Sequence, residues 1–127
     1  AGLRMHAMAR MLSKDNIEHA AAYVETMKPG QYEQTMKGDP VAGKQQYVTC
    51  AACHGQNGGG NKILNAPPLV NSNDWYLYAS IMNYRGGRRA ADSQLDPKGY
   101  AMVPISKAIP NEKAIADVVA YIQTFNK

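Results

Sequence analysis

The chain has only two cysteines, Cys50 and Cys53, separated by two residues. Two thiols exclude a disulfide framework, and a structural zinc site would need two further Cys or His ligands with their own spacing. A single bridge between them would close a small, strained loop. Aromatic filling is thin, with one Trp and one Phe in 127 residues. No apolar run approaches the roughly 20 residues that a bilayer span requires, which predicts no direct membrane insertion. No leader pattern opens the sequence, which reads as a soluble mature protein or an excised piece. Nor is one charge sign dominant: 14 Lys and Arg face 10 Asp and Glu, for a net charge of +4. The surplus is local, at Arg85, Arg88 and Arg89, and no nucleic-acid-reading motif accompanies it, so nucleic acid is not an expected partner. With 45% hydrophobic residues, the composition is that of one globular domain with room for an appendage.

The two cysteines stand in Cys50-Ala51-Ala52-Cys53-His54. C-x-x-C-H is the attachment signature of c-type haem: the thiols add across the two vinyl groups of the porphyrin, and the adjacent His binds the iron from one face. A redox dithiol would sit among alternating β and α segments, and no such alternation is present. Haem would add a large flat apolar surface to a core poor in aromatics, so the chain is expected to fold poorly without it. Covalent attachment predicts assembly outside the bacterial cytoplasm, in the periplasm or at the outer membrane face, with membrane association only through a partner or a missing segment. The positive surplus then reads as a solvated surface or as steering toward an acidic redox partner.

Ile17, Ala20, Ala21, Val24 and Met27 step at helical spacing, with Ser13 and Asp15 as the start and Pro29-Gly30 as the stop. Methionines at such spacing read as core filler. Ile115, Val118, Val119, Ile122 and Phe125 repeat those steps near the C-terminus, and Ala120-Tyr121-Ile122-Gln123-Thr124 echoes Ala22-Tyr23-Val24-Glu25-Thr26. With one inserted residue Met5 aligns with Met102. This is an internal repeat; two unrelated amphipathic helices would not require the shared A-Y-[IV]-x-T. Residues 31–37 read as a linker. Asp39-Pro40 starts a helix that runs into the C-x-x-C-H motif, and Gly43 within it suggests close passage of the helix carrying Tyr121. Residues 55–61 are a glycine-rich loop without regular structure. Ala66-Pro67-Pro68-Leu69 then offers a carbonyl free to accept the proton on the far nitrogen of His54. Residues 75–84 are helical, 90–101 are loop, Met102 precedes Pro104, and the last helix begins near Pro110 or Asn111.

From residue 38 to 127 these pieces resemble class I c-type cytochromes: G-D-P-V-A-G-K-Q-Q-Y-V-T-C-A-A-C-H-G, A-P-P-L, Y-R-G-G-R-R, Met102 near a proline, and the ending I-A-D-V-V-A-Y-I. Within that class the chain is similar to the second domain of tandem dihaem cytochromes c. The resemblance implies an all-α fold wrapped around one covalent haem c, with an N-terminal helical extension over residues 1–37. That extension resembles the tail of a preceding haem domain whose own motif lies outside the sequence. It implies Cys50 and Cys53 as thioether anchors, His54 and Met102 as iron ligands, and Pro67 as the carbonyl partner of His54. Arg85 or Arg89 is implied at a haem propionate, and Trp75 or Tyr76 in the pocket wall. The family often has Met followed directly by Pro, whereas Val103 intervenes here. Met82 reads as core packing, Met5 as a ligand of the missing haem, and His6 and His19 as surface residues.

With both axial positions filled, the expected function is one-electron exchange, not enzymatic turnover, with redox proteins such as a reductase, an oxidase or an adjacent haem domain. If Met102 does not ligate, the alternative is a five-coordinate haem enzyme of peroxidase type or a gas-binding domain.

Overall fold

The computed structural model describes residues 2–28, 30 and 33–126, with side chains from Met5 onward. Pro29 and Gln31, at the expected helix stop and linker start, lie outside the described residues. The chain divides into two units, residues 1–31 and 32–127.

The first unit holds α1 (Gly2–Arg10) and α2 (Lys14–Thr26). The hydroxyl of Ser13 accepts from the Asn16 N–H at 3.2 Å, which satisfies a donor that no preceding turn can reach. Sequence periodicity does not announce α1. Nor are the methionines of this unit core filler, since Met5, Met8, Met11 and Met27 are all more than half exposed. Two short helices have too little apolar surface of their own to enclose one another.

The second unit is built on α3 (Pro40–His54), α4 (Asp74–Arg85), α5 (Pro97–Tyr100), α6 (Met102–Ala108) and α7 (Glu112–Gln123), with a final turn at Thr124–Asn126. No β-strand occurs among the described residues. Asp39 caps α3 by accepting from the Val41 N–H at 2.8 Å, and Pro40 has the fixed φ that the first helical turn needs. Asn111 caps α7 by accepting from the Ala114 N–H. Ile115, Val118 and Val119 of α7 have no exposed surface, and Ile122 is nearly as enclosed. They pack with Tyr47 and Ala51 of α3 and Leu77 and Ile81 of α4. Gly43 is where α3 crosses α7: a Cβ there would overlap the Asp117 carbonyl and stand 3.0 Å from the Tyr121 Cβ.

The helix at 102–108 is one that the sequence leaves unassigned. Pro104 is the third residue of α6, where its missing N–H would have had no intrahelical partner. The neighbouring Pro97-Lys98-Gly99-Tyr100 forms one helical turn, with the Asp96 carboxylate accepting from the Gly99 N–H.

Residues 33–39 have no regular structure, but they are held. The Asp74 carboxylate, at the start of α4, accepts from the backbone N–H groups of Thr35, Met36 and Trp75 and from the Thr35 hydroxyl. The Asp117 carboxylate on α7 accepts from the Asp39 N–H at 2.8 Å and from Lys113 at 2.7 Å. Burial works against the ionised form of Asp74, but these donors outweigh it and hold its carboxyl below the usual range. The Asp39 N–H and then Lys113 do the same for Asp117. A depressed folded-state pKa means that both carboxylates stabilise the fold above about pH 4, and that this contribution is lost as pH falls through the folded values. Asp74→Ala is therefore expected to cost roughly 2–4 kcal/mol at pH 7, since it leaves several backbone donors unpaired. Acid titration followed by circular dichroism should show a smaller stability change below pH 4 than in the parent protein.

Candidate haem site

The last turn of α3 delivers Cys50, Cys53 and His54 together. His54 is 5% exposed, and its Nδ1 lies 2.8 Å from the Pro67 carbonyl oxygen. A carbonyl only accepts, so Nδ1 carries the proton and Nε2 keeps its lone pair for a metal. The loop between the two partners is fixed, contrary to its structureless reading. The Gly60 N–H donates to the His54 carbonyl at 2.8 Å, and Leu69 N–H to the Gly58 carbonyl at 2.7 Å. Asn61 and Ala66 exchange both backbone bonds, at 2.8 and 3.0 Å. Gly60 has φ +80°, and a Cβ there would come within 2.8 Å of the Ala66 oxygen and 2.7 Å of the Pro68 nitrogen. A glycine at this point lets the proline segment lie against the loop, which places the acceptor for His54.

Two cavities, of about 320 and 370 Å³, share His54, Pro67, Tyr84, Arg89 and Met102 in their walls. The first adds Cys53, Leu64, Asp96 and Lys98. The second adds Cys50 and an apolar wall of Leu77, Ile81, Val118 and Ile122. Both cysteines are free thiols. Burial pushes the Cys50 thiol up to about 11, so when unattached it holds its proton at neutral pH. One imidazole with a free Nε2, two thiols, a thioether, an apolar wall and a guanidinium together suit a flat apolar macrocycle with anionic edge groups.

Of Arg85, Arg88 and Arg89, only Arg89 lines these cavities. Its guanidinium lies 4.8 Å from the Tyr84 ring centroid and donates to the Ser80 hydroxyl at 3.3 Å. Arg85 points elsewhere, donating to the carbonyls of Ile109 at 2.6 Å and Pro110 at 3.4 Å. Arg88 donates to Asn83. Tyr76 lines the second cavity, while Trp75 stands half exposed, edge-on to Tyr76 and away from both cavities. Met82 packs on the core. Met5 is 68% exposed, and His6 and His19 are exposed. Tyr84 is a wall residue that sequence reading does not assign; its signal is the helical spacing that sets it one turn beyond Ile81. Burial raises its phenol, against the opposing pull of Arg89.

The sequence profile of the cytochrome c family matches residues 40–126, the span that carries all of these groups. The chain belongs to the cytochrome c family. It is 36% identical over 84 residues to cytochrome c-554(548) of Halomonas halodenitrificans, a match covering 66% of this chain and 93% of that one. It is 33% identical over 92 residues to the cbb3-type cytochrome c oxidase subunit FixP of Azorhizobium caulinodans, covering 65% of this chain and 30% of FixP. The crystal structure of reduced recombinant cytochrome c4 from Pseudomonas stutzeri is similar with a TM-score of 0.66 and 26% identity. That likeness covers 95% of this chain and 65% of the other, so the chain spans just under two thirds of its length. This cytochrome c is all-α with the class I fold, and its cofactor is one covalent haem c, which Cys50, Cys53 and His54 fit. It is an electron-transfer haemoprotein. No helix among the described residues is long and apolar enough to cross a membrane.

Proposed function

We propose that this cytochrome c is a one-electron carrier, not an enzyme, in which His54 and Met102 would hold the haem iron. The observation that carries this reading is that both side chains line both cavities, with the His54 ring oriented by Pro67 so that Nε2 is free. Haem, when bound, supplies reversible Fe(II)/Fe(III) exchange, and Met ligation favours the reduced form. The chain's own residues orient the imidazole through Pro67, exclude water with Leu77, Ile81, Val118 and Ile122, and offer Arg89 to a propionate. A fixed ligand frame keeps reorganisation small on electron transfer. The compartment we propose is the periplasm, and the partners are respiratory-type redox proteins, consistent with a relative that is an oxidase subunit.

Residues 38–127 are, on this reading, the haem domain, and residues 1–37 the tail of a preceding haem domain plus linker. Support comes from the details of the repeat. Ser13 and Asn111 occupy equivalent places and cap α2 and α7 in the same way. Thr26 and Thr124, also equivalent, each donate a hydroxyl hydrogen bond at 2.7 Å to the carbonyl of the preceding repeat tyrosine, Tyr23 or Tyr121. The Ile17, Ala20, Ala21, Val24 face is exposed where its counterpart on α7 is buried.

The intact mass and optical spectrum of the holoprotein test the central reading. The expected result is one haem per chain and, in the oxidised form, low-spin iron with a Met-iron charge-transfer band. A high-spin spectrum without that band would reject the carrier in favour of a five-coordinate haem protein.

A further inference from the structure

Arg85 ends α4 and lines neither cavity, yet its guanidinium is directed at one place in the backbone. It donates to the Ile109 carbonyl at 2.6 Å and to the Pro110 carbonyl at 3.4 Å. Ile109 is the C-cap of α6, the helix that begins at Met102. A helix end leaves its last carbonyls without intrahelical donors, and Pro110, which follows the cap, has no N–H with which to turn back on them. The Arg85 side chain supplies donors there. Its positive charge lies at the C-terminal ends of α4 and α6 together, where a cation is favoured.

Helix α6 depends on such a tie. It has 7 residues, too few to be stable alone. Ala101, before its first turn, makes no side-chain cap bond, so the end that carries Met102 is not fixed from within. The faces of the helix are divided. Met102 and Ile105, three residues apart, line the first cavity. Val103, Ser106 and Ile109, also at three-residue steps, are buried. A short rigid element of this kind tilts about its buried face, and fixing its far end fixes the tilt. About 10 Å of helix, at 1.5 Å per residue, separates the Met102 end from the Arg85 tie. Arg88, three residues beyond Arg85, makes no such link: it is exposed and donates to Asn83 of its own helix.

We infer that Arg85 is a positioning residue for Met102: by tying Ile109 and Pro110 to the end of α4, it holds α6 so that the thioether stays in the cavity. This rests on the reading in which Met102 holds the iron, and adds to it the group that keeps the sulfur in place. Arg85 acts from outside the cavity, through the backbone of α6.

Imidazole titration of the oxidised holoprotein, followed at the Met-iron charge-transfer band, tests this. Imidazole competes for the position that Met102 would hold, so its apparent Kd includes the cost of moving α6. Arg85→Gln is expected to bind imidazole about tenfold more tightly than the parent, the equivalent of one charge-assisted hydrogen bond. Arg85→Lys keeps the charge but not the fork that reaches two carbonyls, and should bind about threefold more tightly. Arg88→Gln removes the same charge from a neighbouring position and should stay within about twofold of the parent. A role confined to stability would lower the unfolding temperature of Arg85→Gln and leave its imidazole affinity at the parent value, and that result would overturn the assignment. So would an equal tightening in Arg88→Gln, which would make the effect one of net charge. Should Arg85→Gln fail to retain haem, Arg85→Lys decides, and a parent-like affinity there would overturn the assignment. A parent holoprotein that lacks the charge-transfer band would instead overturn the Met102 reading.

Discussion

Met102→Ala is expected to abolish the Met-iron charge-transfer band and to lower the midpoint potential by on the order of 0.2 V, a substantial part of the roughly 0.8 V range that axial ligands set. The thioether is a soft ligand that stabilises Fe(II) over Fe(III), and its loss leaves water or an open position in its place. Met102→His should keep a six-coordinate, low-spin spectrum and still lower the potential, because imidazole favours Fe(III) relative to a thioether. Potentiometric titration of the two variants beside the parent checks both statements. Met102 begins α6, whose buried Ser106 donates to the Val103 carbonyl at 2.8 Å, and that bond does not involve the Met102 side chain. The backbone around residue 102 is thus expected to survive the substitution, so the spectroscopic change reports ligation. A parent-like band and potential in Met102→Ala would mean that another group holds that face of the iron.

The parts of this molecule legible in the sequence are those set by local chemistry. C-x-x-C-H at the end of a helix begun by Asp39-Pro40, the Asn111 cap and the α7 stripe from Ile115 to Ile122 all follow from spacing and capping preference. Gly43 is legible as well, because a glycine inside a helix has a propensity cost that something must offset. What escapes is set by long-range contacts. Nothing near residue 85 distinguishes Arg85 from Arg89, yet one meets the carbonyls of Ile109 and Pro110 and the other the cavity. Trp75 and Tyr76 are adjacent on α4, and a rotation of one residue sends only Tyr76 toward the cavity. The polar stretch before Lys37 looks like free linker because Asp74, which holds it, comes 38 residues later than its backbone partner Met36, and Asp117, which holds the start of α3 beside it, comes 78 residues later than Asp39. Helix α6 escapes because no capping residue marks its start: Ala101, just before it, makes no side-chain cap hydrogen bond.

Gly43→Ala is expected to destabilise the holoprotein by about 3 kcal/mol or more, through overpacking at a place where no side chain can move aside. Alanine would by itself favour the helix by about 1 kcal/mol, so a net loss isolates the steric term. The first obstacle to the new methyl group is the Asp117 carbonyl, which is α7 backbone, and the next is the Tyr121 Cβ. Relief requires α3 and α7 to separate. That separation would loosen Ile115, Val118 and Val119 from Tyr47 and Ala51, and the Asp117 carboxylate from the Asp39 N–H. Because Cys50, Cys53 and His54 end the same helix, the haem edge should shift with it. Thermal unfolding should fall by roughly 10 °C or more in Gly43→Ala, at 4–8 °C per kcal/mol for a domain of this size, and further in Gly43→Val. Gly87→Ala is the matched comparison: Gly87 has φ +67°, but nothing lies within 4 Å of where its methyl group would stand, so only the local backbone cost of about 1 kcal/mol applies. Equal stability losses at the two sites would show that the α3–α7 crossing tolerates a methyl group and that the closeness of the two helices does not depend on Gly43.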